Sequence, residues 1–373
     1  MTFDRGAGGL AGSPTRPGGL GVLRRSRPRQ RPRPRDAGLS FTLTFIAVVA
    51  VAAFLSPLMR SVSISLQTPA QVGQLDAPWY PASPRTLELD GRTYPVYQVP
   101  IDGGTAELAL VKKGRTSSEF VDPANPTAAR ITWEGSWRSL TPAWQLDAHP
   151  ENYSNVWNEL DYPRLLFNTI AIAVIGTIGT VISCTLVAYG FSRFRWPGRD
   201  LLFVLVIATI FLPTAVTIIP TYAIFVKLGW VGTWLPLLVP VFFANAYDVF
   251  LLRQYLLTIP REMDEAAAID GAGPFRTLIS VIIPQAMPVI VAIAIFHLVY
   301  SWNDFFGPLI YLSSVPDLQT VAVGLARFSG ARVAQDPGLI QAGTLMTLVI
   351  PVVTFLVFQR IFVRGIVITG VDK

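Results

Sequence analysis

Side chains that could do chemistry are few in this chain and badly spaced for it. There are two histidines, His149 and His297, and one cysteine, Cys184. The histidines lie far apart on different elements, so a His-based metal or acid–base site is not expected. One cysteine permits neither an internal disulfide nor a thiolate metal site. No G-x-x-x-x-G-K-[ST] pattern occurs, so the chain has no phosphate-cradling loop of its own. No catalytic residue, metal ligand or cofactor is expected. Two other patterns stand out. One is the run from Ile259 through Pro260, Glu262, Asp264, Glu265, Ala266, Ala267, Asp270 and Gly271 to Gly273. The other is a scatter of polar and aromatic residues inside apolar stretches: Asn168, Thr169, His297, Tyr300, Trp302 and Asn303.

The first pattern reads as a short surface helix. Pro260 suits a first turn, where its missing N–H is harmless, and Glu262, Asp264 and Glu265 complement the positive end of the helix dipole. The alanines favour helix and leave a smooth face, and Gly271 is a natural stop. Gly273-Pro274 opens a second short helix, and Pro284 and Pro288 are expected to turn the chain back. On these features alone, a plain interfacial helix and a docking helix both stand open. For the second pattern, hydrogen bonding between helices and interface anchoring are the plain reading of each residue. The small-residue face Gly176, Gly179 and Ser183 is read as helix packing.

The elements that position these residues follow from composition. Hydrophobic residues make up 51% and charged residues 14% of the 373, against about 25% charged in soluble domains, and the mean hydropathy is +0.46. The apolar residues concentrate in six runs, approximately 39–59, 165–191, 201–226, 233–252, 288–309 and 339–358. Each can cross roughly 30 Å of hydrocarbon at about 1.5 Å per residue. Asp248 and Asp304 fall near run ends, where water is within reach. The net charge of +6 comes partly from Arg24, Arg25, Arg27, Arg29, Arg31, Arg33 and Arg35, placed just before the first run. That position fits a cytoplasmic anchor rather than nucleic-acid binding. With Arg193/Arg195/Arg199, Arg253–Arg276 and Arg360/Arg364/Lys373 on the same side, both ends are expected in the cytoplasm. The first run reads as an uncleaved anchor, because no A-x-A-like site follows it, and Arg24-Arg25 is a weak twin-arginine signal.

About a hundred residues separate the first two runs, too many for a plain loop. Thr86–Leu89, Thr93–Val99 and Ala106–Lys112 read as strands, with turns at Asp90-Gly91 and Asp102-Gly103-Gly104. A Trp-rich stretch with Trp133, Trp137, Trp144 and Trp157 follows and is expected near a membrane interface. A packed cap and a docking surface for an external protein are the two readings of this insert.

The cytoplasmic run also carries a resemblance. Glu265, Ala266, Ala267, Gly271, Val281, Ile283 and Pro284 closely resemble the EAA signature of binding-protein-dependent ABC importer permeases, with Val and Ile where Ile and Leu are usual. Asp270-Gly271-Ala272 is similar to the sugar-importer branch. So are Phe211-Leu212-Pro213, Leu251-Leu252-Arg253-Gln254, Ser301-Trp302-Asn303-Asp304-Phe305, Val323-Gly324-Leu325 and Gln359-Arg360-Ile361-Phe362. The likeness covers about 152–373 and is to the smaller maltose-type permease. The larger insert departs from it, as does Ile366-Val367-Ile368-Thr369 in the tail, which puts a tail–ATPase contact in doubt.

The resemblance implies a type I ABC importer permease fold; with the apolar runs and the strand signals, the expectation is an all-α membrane protein with six transmembrane helices and a small β-rich extracytoplasmic insert between helices 1 and 2. The implied layout is a disordered Arg/Pro-rich tail at 1–38, a first helix at 39–59, the insert at 60–163 and a five-helix core at 164–373. The coupling helix would lie at 260–271. Glu265, Ala266, Ala267, Asp270, Gly271 and Pro284 would couple to a cytoplasmic ABC ATPase dimer. Other implied partners are a second homologous permease, an extracytoplasmic solute-binding protein and the lipid bilayer of a bacterial inner membrane. Asn168, His297, Tyr300, Trp302 and Asn303 are the candidate path residues, and the loop 313–338 either meets the binding protein or is solvated. The expected function is import of a sugar or oligosaccharide by alternating access. Alternatives are an importer for an amino acid, a polyol or a phosphorylated sugar alcohol, a secondary transporter, a membrane enzyme and a scaffold. Inverted repeats and intramembrane carboxylates, the usual marks of a secondary transporter, are not evident.

Overall fold

The computed structural model describes residues 34–101, 103–332 and 336–367. Arg24 to Arg33, Asp102 and the tail after Val367 lie outside the described residues. The chain divides into two units, Met1–Ser56 and Pro57–Lys373. The described part of the first is helical and belongs to α1 (Pro34–Ser65). Its segment Ser40–Ser65 is long and apolar enough to cross a membrane. Phe41, Phe45 and Phe54 stand exposed along it.

The second unit begins with a short helix, α2 (Pro69–Val72), capped by the Thr68 side chain. Eight strands follow: β1 (Ala82–Pro84), β2 (Thr86–Leu89), β3 (Arg92–Ile101), β4 (Gly104–Lys112), β5 (Ser117–Val121), β6 (Ile131–Glu134), β7 (Thr141–Pro142) and β8 (Trp144–Leu146). The main sheet is an antiparallel meander, β2-β3-β4-β5-β6, with β7 on β3, while β1 pairs with β8. Its first hairpin turns at Asp90 and Gly91, both at positive φ (53° and 72°), the geometry a two-residue hairpin loop needs. Val99, Leu108, Leu110 and Phe120 form its core. Two of the tryptophans expected at a membrane interface are packed there instead. Trp133 meets Phe120 edge-on at 6.4 Å, and Trp137 meets Tyr97 at 6.3 Å. The interface expectation looked only at distance from a span. An aromatic residue next to a sheet face gains more by closing that sheet's core.

A short helix, α3 (Glu151–Glu159), leads to the central helix α4 (Tyr162–Arg193). Then come α5 (Arg199–Ala208), α6 (Thr214–Lys227), α7 (Leu235–Leu238), α8 (Ala246–Thr258), α9 (Glu262–Ile269), α10 (Pro274–Thr277), α11 (Ile283–Asn303), α12 (Phe306–Leu312), α13 (Val321–Arg332) and α14 (Pro337–Val367). Among the described residues, five stretches are long and apolar enough to span: Ser40–Ser65, Tyr162–Arg193, Leu235–Thr258, Pro274–Asn303 and Pro337–Gln359. The third expected run is broken instead. Arg199–Phe211 and Val216–Lys227 meet at 101° and make a sixth span only if taken together. The break falls where Leu212 is extended (ψ 115°) before Pro213, as a residue preceding proline prefers.

Two further expectations are corrected. Pro284 and Pro288 do not turn the chain: the helical path runs from Pro274 to Asn303. Pro284 sits in the first turn of α11, where its N–H is dispensable, and a π-type stretch at Leu278–Ile282 precedes it. Asp248 does not reach water. It is 6% exposed in the first turn of α8, where Asn245 Nδ2 donates to its carboxylate at 2.6 Å and its own N–H donates to Asn245 Oδ1 at 2.9 Å.

The largest apolar cluster lies between α4, α8 and the Leu278–Asn303 helix. Cys184, Ala188, Leu252, Leu256, Ile282, Ala286 and Ile293 are at its centre. Close helix approach rests on glycine. A Cβ on Gly176 would come within 2.9 Å of His297 Nε2, and one on Gly179 within 2.8 Å of the Phe242 ring.

Candidate functional site

The acidic, alanine-rich segment forms α9, an exposed helix at the end of the bundle. It begins at Glu262, so Pro260 precedes the helix rather than sitting in its first turn. Its C-terminal end is a complete Schellman motif. Gly271 N–H donates to Ala268 O at 3.0 Å and Ala272 N–H to Ala267 O at 2.9 Å, with Gly271 at φ 77°. Glycine takes that left-handed conformation without a Cβ penalty.

The helix shows one face to the bundle and the other outward. Ala267 is its only buried residue, so of the two alanines expected to meet a partner, this one faces the protein. Glu265, Ala266, Ala268, Ile269 and Asp270 are exposed, Ile269 by 86%. Clefts flank the helix on both sides. One, of about 300 Å³, is lined by Arg261, Glu265 and Ala268 together with Tyr189 and Arg193 of α4. The other, of about 400 Å³, is lined by Met263, Ala266, Asp270 and Arg276. Among the described residues neither Glu265 nor Asp270 forms an ion pair. Pro284 is in the first turn of α11, one turn past Ser280 and Val281, which line the second cleft.

The polar residues of the spans separate into two groups. Asn168 is 3% exposed, and its amide donates to Asp317 O at 2.8 Å and Gln319 O at 2.9 Å. Thr169 Oγ1 accepts from Val321 N–H at 2.9 Å. Trp302 is also buried, at 7%. His297 is half-buried, with Nδ1 3.1 Å from Thr180 Oγ1 on α4. These side chains hold elements together. Tyr300 (68% exposed) and Asn303 instead lie on an open face of α11 with Phe296 (44% exposed). That open face carries an aromatic surface and an amide and no Lys or Arg. The loop after α12 is pinned rather than free. Besides Asn168, Arg164 pairs with Asp317, and Trp234 Nε1 donates to Leu318 O at 3.0 Å. Asp304 accepts from Gly307 N–H at 3.1 Å and so opens α12.

The family model described as "Binding-protein-dependent transport system inner membrane component" matches residues 180–367, which hold α9, both clefts and the open face of α11. The chain belongs to this family. Among relatives of this inner-membrane component is the osmoprotective compounds uptake permease protein GgtD of Synechocystis sp. It is 34% identical over 78% of this chain and 98% of that protein. The sn-glycerol-3-phosphate transport system permease protein UgpE of Rhizobium meliloti is 34% identical over 55% of this chain and 73% of that one. In fold, the chain is similar to a solved bacterial ABC transporter involved in the import of the acidic polysaccharide alginate. The TM-score is 0.61 at 19% identity, over 88% of this chain and 98% of that chain.

The expected permease fold with its β-rich insert is therefore the observed one. Sequence reasoning missed the residues that hold α9 to the bundle. Arg193 counted only as a marker of membrane sidedness, and Tyr189 was not singled out. Their i, i+4 spacing at the end of a span was the available signal.

Proposed function

We propose that this inner-membrane component imports a neutral sugar or oligosaccharide, driven by a separate ATPase dimer that engages α9. A second, homologous permease completes the path and an extracytoplasmic solute-binding protein delivers the solute. In this reading residues 1–38 and the C-terminal tail are cytoplasmic, 60–163 is extracytoplasmic, and ATP hydrolysis is carried by the partner. Glu265, Ala266, Ala268 and Asp270 meet the ATPase, Ala267 seats the helix and Gly271 fixes its exit. The observation that carries the reading is the outward face of α9, two alanines and two carboxylates with a fully presented Ile269, between two open clefts. A short helix without a large apolar face has little else to do at a membrane surface.

The solute class rests on the open α11 face. Tyr300 and Phe296 offer rings to a pyranose and Asn303 offers an amide to hydroxyls. The UgpE relatives favour a second reading, a phosphorylated polyol. A phosphate normally calls for Arg or Lys, and α11 carries neither.

The reading is tested in proteoliposomes holding the assembled transporter and its binding protein, with labelled maltose and glycerol-3-phosphate as probes. ATP-dependent uptake of maltose at an imposed proton gradient supports it. Uptake of glycerol-3-phosphate alone selects the second reading, and uptake that persists without ATP defeats both. A cross-linker at Ala268→Cys in a Cys184→Ser background is expected to reach the ATPase.

A further inference from the structure

We infer that Tyr189 and Arg193, one face of the last turns of α4, are the positioning residues that make α9 and the central span move as one body. This rests on α9 being the ATPase-coupling helix. Both side chains come from a span that packs against α8 and α11, so what they grip is tied to the core of the bundle.

The geometry is a bracket around the coupling segment. Ahead of α9, Arg193 donates from Nη1 and Nη2 to the single carbonyl of Ile259, both at 3.1 Å. Within α9, Arg193 Nε lies 3.4 Å from Asp264 Oδ2. Beyond α9, Tyr189 OH donates to Pro274 O at 3.1 Å. Entry, middle and exit of the segment are thus held by residues spaced i, i+4 on one helix. The Arg193 side chain is 6% exposed and that of Asp264 24%, so the pair is screened far less than a surface pair.

This bracket matters because α9 has little else to hold it. Its only buried residue is Ala267, and Met263 adds a half-buried contact with the main cluster. A lever attached by so little apolar area would rock when pulled. A planar guanidinium with two donors on one backbone carbonyl, its Nε facing the Asp264 carboxylate as an ion pair without a hydrogen bond, resists rotation as well as displacement. Lysine keeps the charge but offers a single freely rotating head, so it serves as the conservative replacement.

The test uses the complete transporter with its ATPase and second permease in nanodiscs, in a Cys184→Ser background. Spin labels at Leu186→Cys on α4 and Glu262→Cys on α9 report the distance between the two before and after ATP with vanadate. With Tyr189 and Arg193 present, one narrow distance is expected to persist in both states. Arg193→Gln and Tyr189→Phe are each expected to broaden it, while the ATPase still co-purifies and hydrolyses ATP. Maltose carried per ATP should fall by about tenfold, the scale of one lost charge-assisted hydrogen bond, and Arg193→Lys should recover part of it. Unchanged distances and an unchanged transport ratio in both variants overturn the inference. So does loss of the ATPase from both, which makes the residues a docking support only. Tyr189→Phe removes one oxygen and keeps the ring, so it reads out even if Arg193→Gln fails to assemble. Failure of Ala268→Cys to reach the ATPase with Tyr189 and Arg193 intact would instead sink the coupling role of α9.

Discussion

The two ends of α4 are held in opposite ways. At the Tyr162 end, buried side chains sew the helix to the loop between α12 and α13. Asn168 takes two carbonyls, Thr169 receives a backbone N–H, and Gly324 lets α13 approach closely. At the Arg193 end, a single bracket holds α9, whose outer face is left exposed. The first arrangement fixes a shape. The second leaves a surface to be pulled while keeping its attachment stiff. Substitutions at the first end should therefore register in stability, and those at the second in coupling.

The largest effect is expected from Asn168→Ala. It strands the buried Gln319 carbonyl and the partly buried Asp317 carbonyl, at a cost of roughly 2–4 kcal/mol, and should lower the thermal midpoint of the assembled complex. If the midpoint holds, the Tyr162 end is not sewn as described. Next is Gly324→Ala. Its new Cβ would lie 2.3 Å from Leu165 Cδ1, and such overpacking costs about 1–3 kcal/mol, read in the same melting experiment.

At the other end, Gly271→Ala forces a non-glycine residue to φ 77°, a strain of about 1–2 kcal/mol. That strain should fray the exit of α9 locally, seen as faster amide exchange at Ala272, with little change in the global midpoint. Glu265→Lys sharpens the contrast. Exposed and unpaired within the described residues, it should shift stability by no more than about 0.5 kcal/mol while lowering transport per ATP. An equal loss of stability and coupling would erase the distinction between the ends.

The smallest effect lies in the insert. Hydrogen bonds from Lys112 and Arg130 hold the Glu119 carboxyl below its ordinary range. A carboxylate depressed in the folded state adds stability above its unfolded pKa and loses it as pH falls through the folded value. Acid should therefore loosen the β4–β5–β6 end of the sheet first, and Lys112→Met with Arg130→Met should weaken that pH dependence. Fluorescence of Trp133 and its neighbours, followed against pH, reads both.

Much of the fold was legible because its signals are local. Apolar runs of span length, the Asp90-Gly91 hairpin and the glycine that ends α9 each follow from a few adjacent residues. The short acidic helix α9 was legible for the same reason, down to Gly271. The misreadings concern partners that are distant in sequence. Asn168 looked like a path residue and bonds to carbonyls of Asp317 and Gln319. Trp133 looked like an interface anchor and fills a sheet core. Asp248 is a different case: its partner Asn245 is three residues away, and what the sequence withheld was its burial.

The sequence by itself determined that this chain spans a membrane, carries a β-rich insert and presents an acidic, alanine-rich helix ending at a glycine. Those outcomes depend on hydrophobic period, turn chemistry and backbone conformation, which neighbouring residues set. Only the tertiary structure decided which polar side chains are structural and which stay open, which alanine of α9 faces inward, and that Tyr189 and Arg193 grip its ends. A hydrogen bond between residues far apart in the chain leaves no periodic trace in it, because its partner is chosen by how the helices pack.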